Sequence, residues 1–140
     1  MQMQIGADLS ELQRINAQVQ AWGEHLEWSK NDIFRTQFLL EELFVNAINH
    51  GQQEGCSMWA TLTLTAQPDG IHIEWRDNGL AFNPLLSPDA NADASLDERR
   101  PGGWGLTMVR QLSTQAQYQR ETRASEGVNC LRLTQAWSAA

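Results

Sequence analysis

The chain has 140 residues, of which 41% are hydrophobic and 19% are charged, as expected for one globular domain with a buried core. Its formal net charge is −7, which repels a phosphate backbone, so we expect no nucleic-acid partner. The N-terminus has no signal-peptide pattern, and no apolar run approaches the roughly 18 residues that a membrane span needs. These features predict a cytoplasmic protein with no membrane partner, in which Cys56 and Cys130 are reduced, buried thiols.

The N-terminal part is predicted to contain a short strand over residues 1–7 and then two helices. Apolar residues recur at helical spacing over residues 8–28, which predicts the first helix. The second helix covers residues 29–51, and Gly51 is placed to end it. At about 1.5 Å per residue this helix spans roughly 30 Å, long enough to cross one face of a sheet.

Two β-hairpins are predicted in the remainder of the chain. Apolar and polar residues alternate over residues 57–66 and 71–77, with a turn between them, and a second hairpin covers residues 118–136. Residues 78–103 are irregular, and a helix follows over residues 103–116. This order of elements predicts an α+β fold with a mostly antiparallel sheet and its helices on one face.

The segment "EELFVNAINHG", residues 41–51, carries polar side chains along one edge of the second helix. Glu42 and Asn46 are four residues apart and so point the same way, and Asn49 and His50 continue that edge. An amide oxygen can bind Mg²⁺, and a carboxylate one turn away can orient or deprotonate a hydroxyl group or a water molecule. The same residues fit a solvated helix edge equally well.

The segment "RDNGLAFNP", residues 76–84, follows an alternating strand. Asp77 ends that strand, where a fixed carboxylate can accept a hydrogen bond from an exocyclic amine such as that of adenine. Gly79 lets the backbone approach a flat ring more closely than a residue with a Cβ would. The alternative is an ordinary turn, which is the commonest place for an Asp-Asn-Gly sequence.

The segment "PGGWGLTMVRQL", residues 101–112, places Gly102, Gly103 and Gly105 directly before a helix. The start of a helix offers free backbone N–H groups and the positive end of the helix dipole, which suit a phosphate group. The pattern is neither a P-loop nor a dinucleotide-binding fingerprint. Glycines at this position also fit simple loop flexibility.

Together and in this order, the three segments resemble the N, G1 and G2 boxes of the GHKL ATPase superfamily, and the resemblance runs from about residue 30 to the C-terminus. The sequences "NAINHG" and "FNP" are similar to those of the anti-sigma-factor serine/threonine kinases of bacterial partner-switching systems. The resemblance implies a single GHKL domain over residues 1–140. Its fold would be a two-layer α/β sandwich with a mixed, mostly antiparallel sheet and helices on one face.

The resemblance also implies a role for each matching residue. Glu42 would be the general base, Asn46 would bind Mg²⁺ and the phosphates of ATP, Asp77 would bind the adenine amine, and Gly79 would make room for the ring. Further nucleotide contacts are implied for His50, Gly102, Gly103, Gly105 and Leu106. Residues 84–101 would form an ATP lid, in which Arg99 or Arg100 would meet the γ-phosphate.

Three positions depart from this pattern or leave a choice. Much of the superfamily has a threonine on the last hairpin that helps to bind adenine, and here Asn129 or no residue takes that role. Trp104 is bulky for a G2 box and is expected to shape the lid or a partner surface. Glu41 is also a carboxylate, but it lies about 100° around the helix from Glu42, so Glu42 is preferred as the base.

The activity that the resemblance implies is transfer of phosphate from ATP, with Mg²⁺, to a serine or threonine of a STAS-type anti-anti-sigma factor. An RNA polymerase sigma factor or another switched protein would be the second client, and the kinase could form a homodimer. Two alternatives remain: a non-catalytic module whose partner surface depends on ATP, and the ATP-binding component of a histidine phosphorelay.

Overall fold

The structure, a computed structural model, describes residues 1–51, 57–86, 109–123 and 126–139. The described elements are β1 (Gln2–Ile5), α1 (Glu11–His25), α2 (Lys30–Gly51), β2 (Ala60–Gln67), β3 (Gly70–Asp77), a 3₁₀ turn (Pro84–Leu86), a helical segment at 109–112, β4 (Ser113–Arg123) and β5 (Glu126–Ala136). This is the order that the sequence predicts. No helix within these ranges has the length and apolar character that crossing a membrane requires.

The five strands form one sheet in the order β1-β2-β3-β5-β4, and every described pairing is antiparallel. The predicted α+β fold is therefore confirmed. The two hairpins, β2–β3 and β4–β5, meet along β3 and β5, so that the ends of these two central strands lie side by side. Gly70 begins β3 with a φ of +151°, and a Cβ there would lie 2.2 Å from the carbonyl oxygen of Gln135, so no other residue fits this turn.

Both helices pack on one face of the sheet. Alternate residues of the central strands, such as Leu62, Ile73 and Leu133, are buried in one core with Leu39 and Phe44 of α2. The residues between them point to the other face, which polar and charged side chains cover. This alternation is typical of an antiparallel sheet with one solvated face.

Hydrogen bonds near the start of α2 cap the helix and attach it to the sheet. The hydroxyl oxygen of Ser29 accepts the backbone N–H of Asp32 at 3.0 Å, so Ser29 is the N-cap of α2. Thr36, in the second turn of α2, and Gln135 of β5 are fully buried and hydrogen-bonded to each other. Because a buried polar pair is costly to separate, these contacts fix which face of α2 meets the sheet.

Two predicted boundaries are wrong. The last helix was expected to continue to residue 116, but Ser113 already begins β4, because β5 is long enough to pair with it up to Gln135. Pairing with a neighbouring strand overrides the weak local preference of this polar segment. The first helix is also shorter than predicted, and Leu9 and Leu26 lie outside it and are exposed.

Candidate active site

Asp77 is a buried carboxylate at the end of β3, and three donors hold it. Its Oδ1 accepts the backbone N–H of Gly79 at 2.8 Å and the side-chain amide of Asn129 at 3.0 Å. Its Oδ2 accepts the indole N–H of Trp75 at 2.9 Å. A carboxylate has about four acceptor positions, so one position on Oδ2 remains for a further donor.

The pocket beside Asp77 is lined mainly by apolar side chains, among them Leu43, Trp75, Phe82 and Leu131. Aromatic and aliphatic walls with a few polar groups are the usual composition of a pocket for a planar ligand. The remaining acceptor position of Asp77 would meet a donor on the edge of such a ring. This arrangement matches the chemistry of an aromatic base that carries an exocyclic amine.

Asn129 links Asp77 to the edge strand. It lies opposite Asp77 in the pairing of β3 with β5, and it also donates to the carbonyl oxygen of Leu80 at 2.8 Å. Its own side-chain oxygen accepts hydrogen bonds from the hydroxyl group of Tyr118 and from Arg120. Of the two possibilities left by the sequence, the structure therefore places Asn129 in the network around Asp77.

Glu42 and Asn46 bring polar groups to the same region from α2. Both side chains are buried, with 9% and 7% of their surface exposed. Asn46 lines the pocket together with Asp77. Glu42 Oε2 and Asn46 Nδ2 have no hydrogen-bond partner in the described part of the chain. Buried polar atoms without partners cost folding free energy, so we expect a bound ligand or water molecule to satisfy them.

Burial, and to a smaller extent the nearby negative charge of Glu41, raise the pKa of Glu42 to about 7. The side chain of Glu41 itself is exposed, as its different position around the helix predicts. A carboxyl group whose pKa lies near neutral pH is suited to exchange a proton with a substrate. The structure thus distinguishes the buried Glu42 from the exposed Glu41, and the choice of Glu42 as the base stays a prediction.

We expect the stability of the protein to fall between about pH 4.5 and pH 7 because of Glu42. In this window the unfolded chain releases the proton of Glu42 while the folded chain keeps it. The loss is at most about 3 kcal/mol and should level off above pH 7. Urea unfolding at pH 5 and pH 8 measures it: the difference should shrink in Glu42→Gln and largely persist in Glu41→Gln. An equal pH dependence in wild type and Glu42→Gln would contradict the burial of this charge.

The donor set fits a magnesium ion that is bound mainly through phosphate groups. Mg²⁺ typically takes one or two oxygen ligands from the protein and the rest from substrate phosphates and water. Asn46 carries an amide oxygen, which is a ligand of the kind that Mg²⁺ takes, and it lies one turn from the buried carboxylate of Glu42. Its unpartnered atom, Nδ2, is a donor and would meet a phosphate oxygen instead of the ion. Within the described ranges no cluster of three His, Cys, Asp or Glu side chains could hold a metal alone.

The structure brings together Asn46, Asp77 and Gly79, although their roles stay predictions. Glu42 lies one turn from Asn46 on α2 and is not among the residues that line this pocket. Asn49 is exposed and does not join them. The remaining predicted residues lie outside the described residues, as do the side chain of His50 and most of the expected lid. These are Arg99, Arg100, Gly102, Gly103, Trp104, Gly105 and Leu106.

Sequence reasoning missed three residues of this network: Trp75, Tyr118 and Arg120. Trp75 lies two residues before Asp77, so the two-residue period of a strand already placed it on the same face. Tyr118 and Arg120 also share a face of β4, but only the register between β4 and β5 brings them to Asn129.

Comparison with known proteins identifies relatives over nearly the whole chain. Residues 5–135 match the histidine kinase-like ATPase domain. The chain is 31% identical over 119 residues to the serine/threonine-protein kinase BtrW of Bordetella bronchiseptica, covering 81% of this chain and 80% of that protein. Its fold is similar to the RsbU and RsbW domains of Rv1364c from Mycobacterium tuberculosis, with a TM-score of 0.60 and 17% identity. All of this chain, but only 34% of that one, is covered.

Proposed function

Because the chain belongs to the histidine kinase-like ATPase domain family, we propose that it is an ATP-dependent serine/threonine protein kinase. One observation carries the proposal: Asn46 and Asp77 line one pocket, and buried polar atoms of Asn46 and Glu42 are without partners among the described residues. The similarity to a serine/threonine-protein kinase supports the choice of activity.

The base of ATP binds in the apolar pocket beside Asp77. The remaining acceptor position on Asp77 Oδ2 takes a hydrogen bond from the adenine amine, while Trp75 and Leu131 contact the ring. The absence of a Cβ at Gly79 leaves space at the ring edge. A guanine base would present a carbonyl oxygen to the carboxylate and would be repelled, so the site is expected to favour adenine.

Transfer of the γ-phosphoryl group takes place near Asn46 and Glu42. The hydroxyl oxygen of the acceptor serine or threonine forms a bond to phosphorus as the bond between phosphorus and the ADP oxygen breaks. Glu42 aligns that hydroxyl group and accepts its proton, for which a pKa of about 7 is well matched. Asn46 would hold Mg²⁺ together with the phosphates, and the ion would neutralise charge on the phosphate oxygens.

The proposed substrate is a STAS-type anti-anti-sigma factor in the cytoplasm, with an RNA polymerase sigma factor or another switched protein as the second client. The motifs "NAINHG" and "FNP", together with the kinase relative, support this branch of the family. In such a switch the unphosphorylated antagonist binds the kinase and releases the other client. A homodimer is compatible with this arrangement.

The experiment is a phosphorylation assay with labelled ATP, Mg²⁺ and a STAS-domain protein whose gene neighbours that of the kinase. We expect an acid-stable phosphate on the STAS protein, and none when its acceptor serine or threonine is replaced by alanine. An acid-labile product would indicate a histidine phosphorelay instead. Binding of ATP without any transfer to the STAS protein would indicate a non-catalytic module, and either result would contradict the proposal.

A further inference from the structure

Arg120 is an exposed arginine on the edge strand β4, and its hydrogen bonds within the described part of the chain all go to neutral groups. Its Nη1 donates to the carbonyl oxygen of Gly79 at 2.8 Å and to the side-chain oxygen of Asn129 at 2.9 Å. No carboxylate pairs with it among the described residues. The chain has a net charge of −7, yet within its described part Arg120 contacts carbonyl oxygens instead of carboxylates.

Gly127 gives the guanidinium group of Arg120 its position. Arg120 lies opposite Asn129 in the β4–β5 pairing, and Gly127 is two residues before Asn129 on the same face of β5. A Cβ built on Gly127 would lie 2.0 Å from Nη2 and 2.5 Å from Cζ of Arg120. The guanidinium group therefore occupies the space that a side chain at Gly127 would take, and any other residue there would displace it.

The orientation of the Asn129 amide follows from the chemistry of arginine. A guanidinium group only donates hydrogen bonds, so it must face the oxygen of the amide and never the nitrogen. The nitrogen of Asn129 is then directed at Asp77 Oδ1 and at the carbonyl oxygen of Leu80. Arg120 also holds the carbonyl of Gly79, whose N–H is bonded to the same carboxylate oxygen of Asp77.

We propose that Arg120 is a positioning residue of the nucleotide site, which acts through Asn129 and Gly79 to hold the Asp77 carboxylate in the orientation that reads the base amine. This inference rests on the proposed function, because it concerns recognition of adenine by Asp77. Gly127 contributes to the same arrangement, since it provides the space in which the guanidinium group of Arg120 lies.

The test compares the binding of a non-hydrolysable ATP analogue with that of the matching purine riboside triphosphate, which lacks the 6-amino group. In Arg120→Ala we expect affinity for the ATP analogue to fall about tenfold, as for a lost hydrogen bond to a charged group. Affinity for the purine analogue should change by less than about twofold. Arg132→Ala is the matched control, because Arg132 is an exposed arginine that points to the opposite face of the sheet and pairs with Glu74.

Gly127→Ala gives a second, independent result, because it leaves Arg120 in the chain but displaces its guanidinium group. We expect it to reduce the preference for the 6-amino group as Arg120→Ala does. In an Arg120→Ala background the same glycine change should have no further effect on affinity. A reduction of equal size in both backgrounds would show that Gly127 does not act through Arg120.

Three outcomes would overturn the inference. They are unchanged selectivity for the 6-amino group in Arg120→Ala, an equal loss of affinity for both nucleotides, and failure of Arg120→Ala to fold as judged by urea unfolding. The last result would make Arg120 a residue for stability. Failure of the wild-type protein to bind the ATP analogue is a different result, which would contradict the proposed function itself.

Discussion

Replacing Asp77 by asparagine should reduce affinity for ATP by at least about 100-fold. The carboxylate is surrounded by donors from Trp75, Gly79 and Asn129. An asparagine amide has one oxygen and one NH₂ group, so its NH₂ must face at least one of these donors or the adenine amine. A hydrogen bond to a charged group contributes about 1.5–3 kcal/mol, so losing the one to adenine and disturbing one other accounts for the expected effect.

Titration calorimetry with a non-hydrolysable ATP analogue measures this change, and urea unfolding reports its cost to the fold. We expect the free energy of unfolding to fall as well, because a buried donor is left without an acceptor. Asp69→Asn is the control: Asp69 is an exposed carboxylate in the β2–β3 turn and contacts His72. Near-normal affinity in Asp77→Asn, with affinity in Asp69→Asn also unchanged, would remove Asp77 from the nucleotide site.

The strands and helices that form the core could be predicted because burial imposes a period. The two-residue alternation of "TLTLT" and "IHIEW" and the spacing of Leu39, Leu43 and Phe44 follow directly from packing one face on the core. The start of β4 could not be predicted in this way. Its residues are mostly exposed, and only the neighbouring strand β5 makes residues 113–117 part of the sheet.

The same distinction decides which residues of the site could be predicted from the sequence. The candidates Glu42 and Asn46 could be predicted because they share a helix, where sequence spacing fixes relative direction. The contact of Asp77 with Asn129 spans 52 residues and depends on the β3–β5 register. The contacts of Arg120 are still harder to predict, because they depend on the β4–β5 register, which is shifted by an irregularity near Ser113. Sequence spacing alone carries no information about such a shift.

Glu42→Gln should leave binding of ATP nearly intact and slow phosphoryl transfer by about 100-fold or more. Glutamine has almost the same shape and can still orient a hydroxyl group through its oxygen, but it cannot accept the proton that the acceptor loses. It also removes a buried ionisable group whose pKa of about 7 reflects the free energy cost of its charge. The folded protein should therefore be more stable at pH 8 even as its kinase activity falls, which separates a catalytic defect from a folding defect.

The dependence of the rate on pH gives the sharper form of this prediction. Only the ionised carboxylate can accept a proton, so the wild-type rate of transfer at saturating ATP should rise as the pH passes through about 7 and then level off. In Glu42→Gln the remaining slow rate should lack that step. Glu41→Gln is the control, since Glu41 is one position away but exposed: it should keep the rate and the step, with the step moved slightly to lower pH because the charge of Glu41 is gone. If instead Glu42→Gln transfers phosphate at the wild-type rate, Glu42 is not the base, and its burial without a hydrogen-bond partner for Oε2 in the described part of the chain must serve a different purpose.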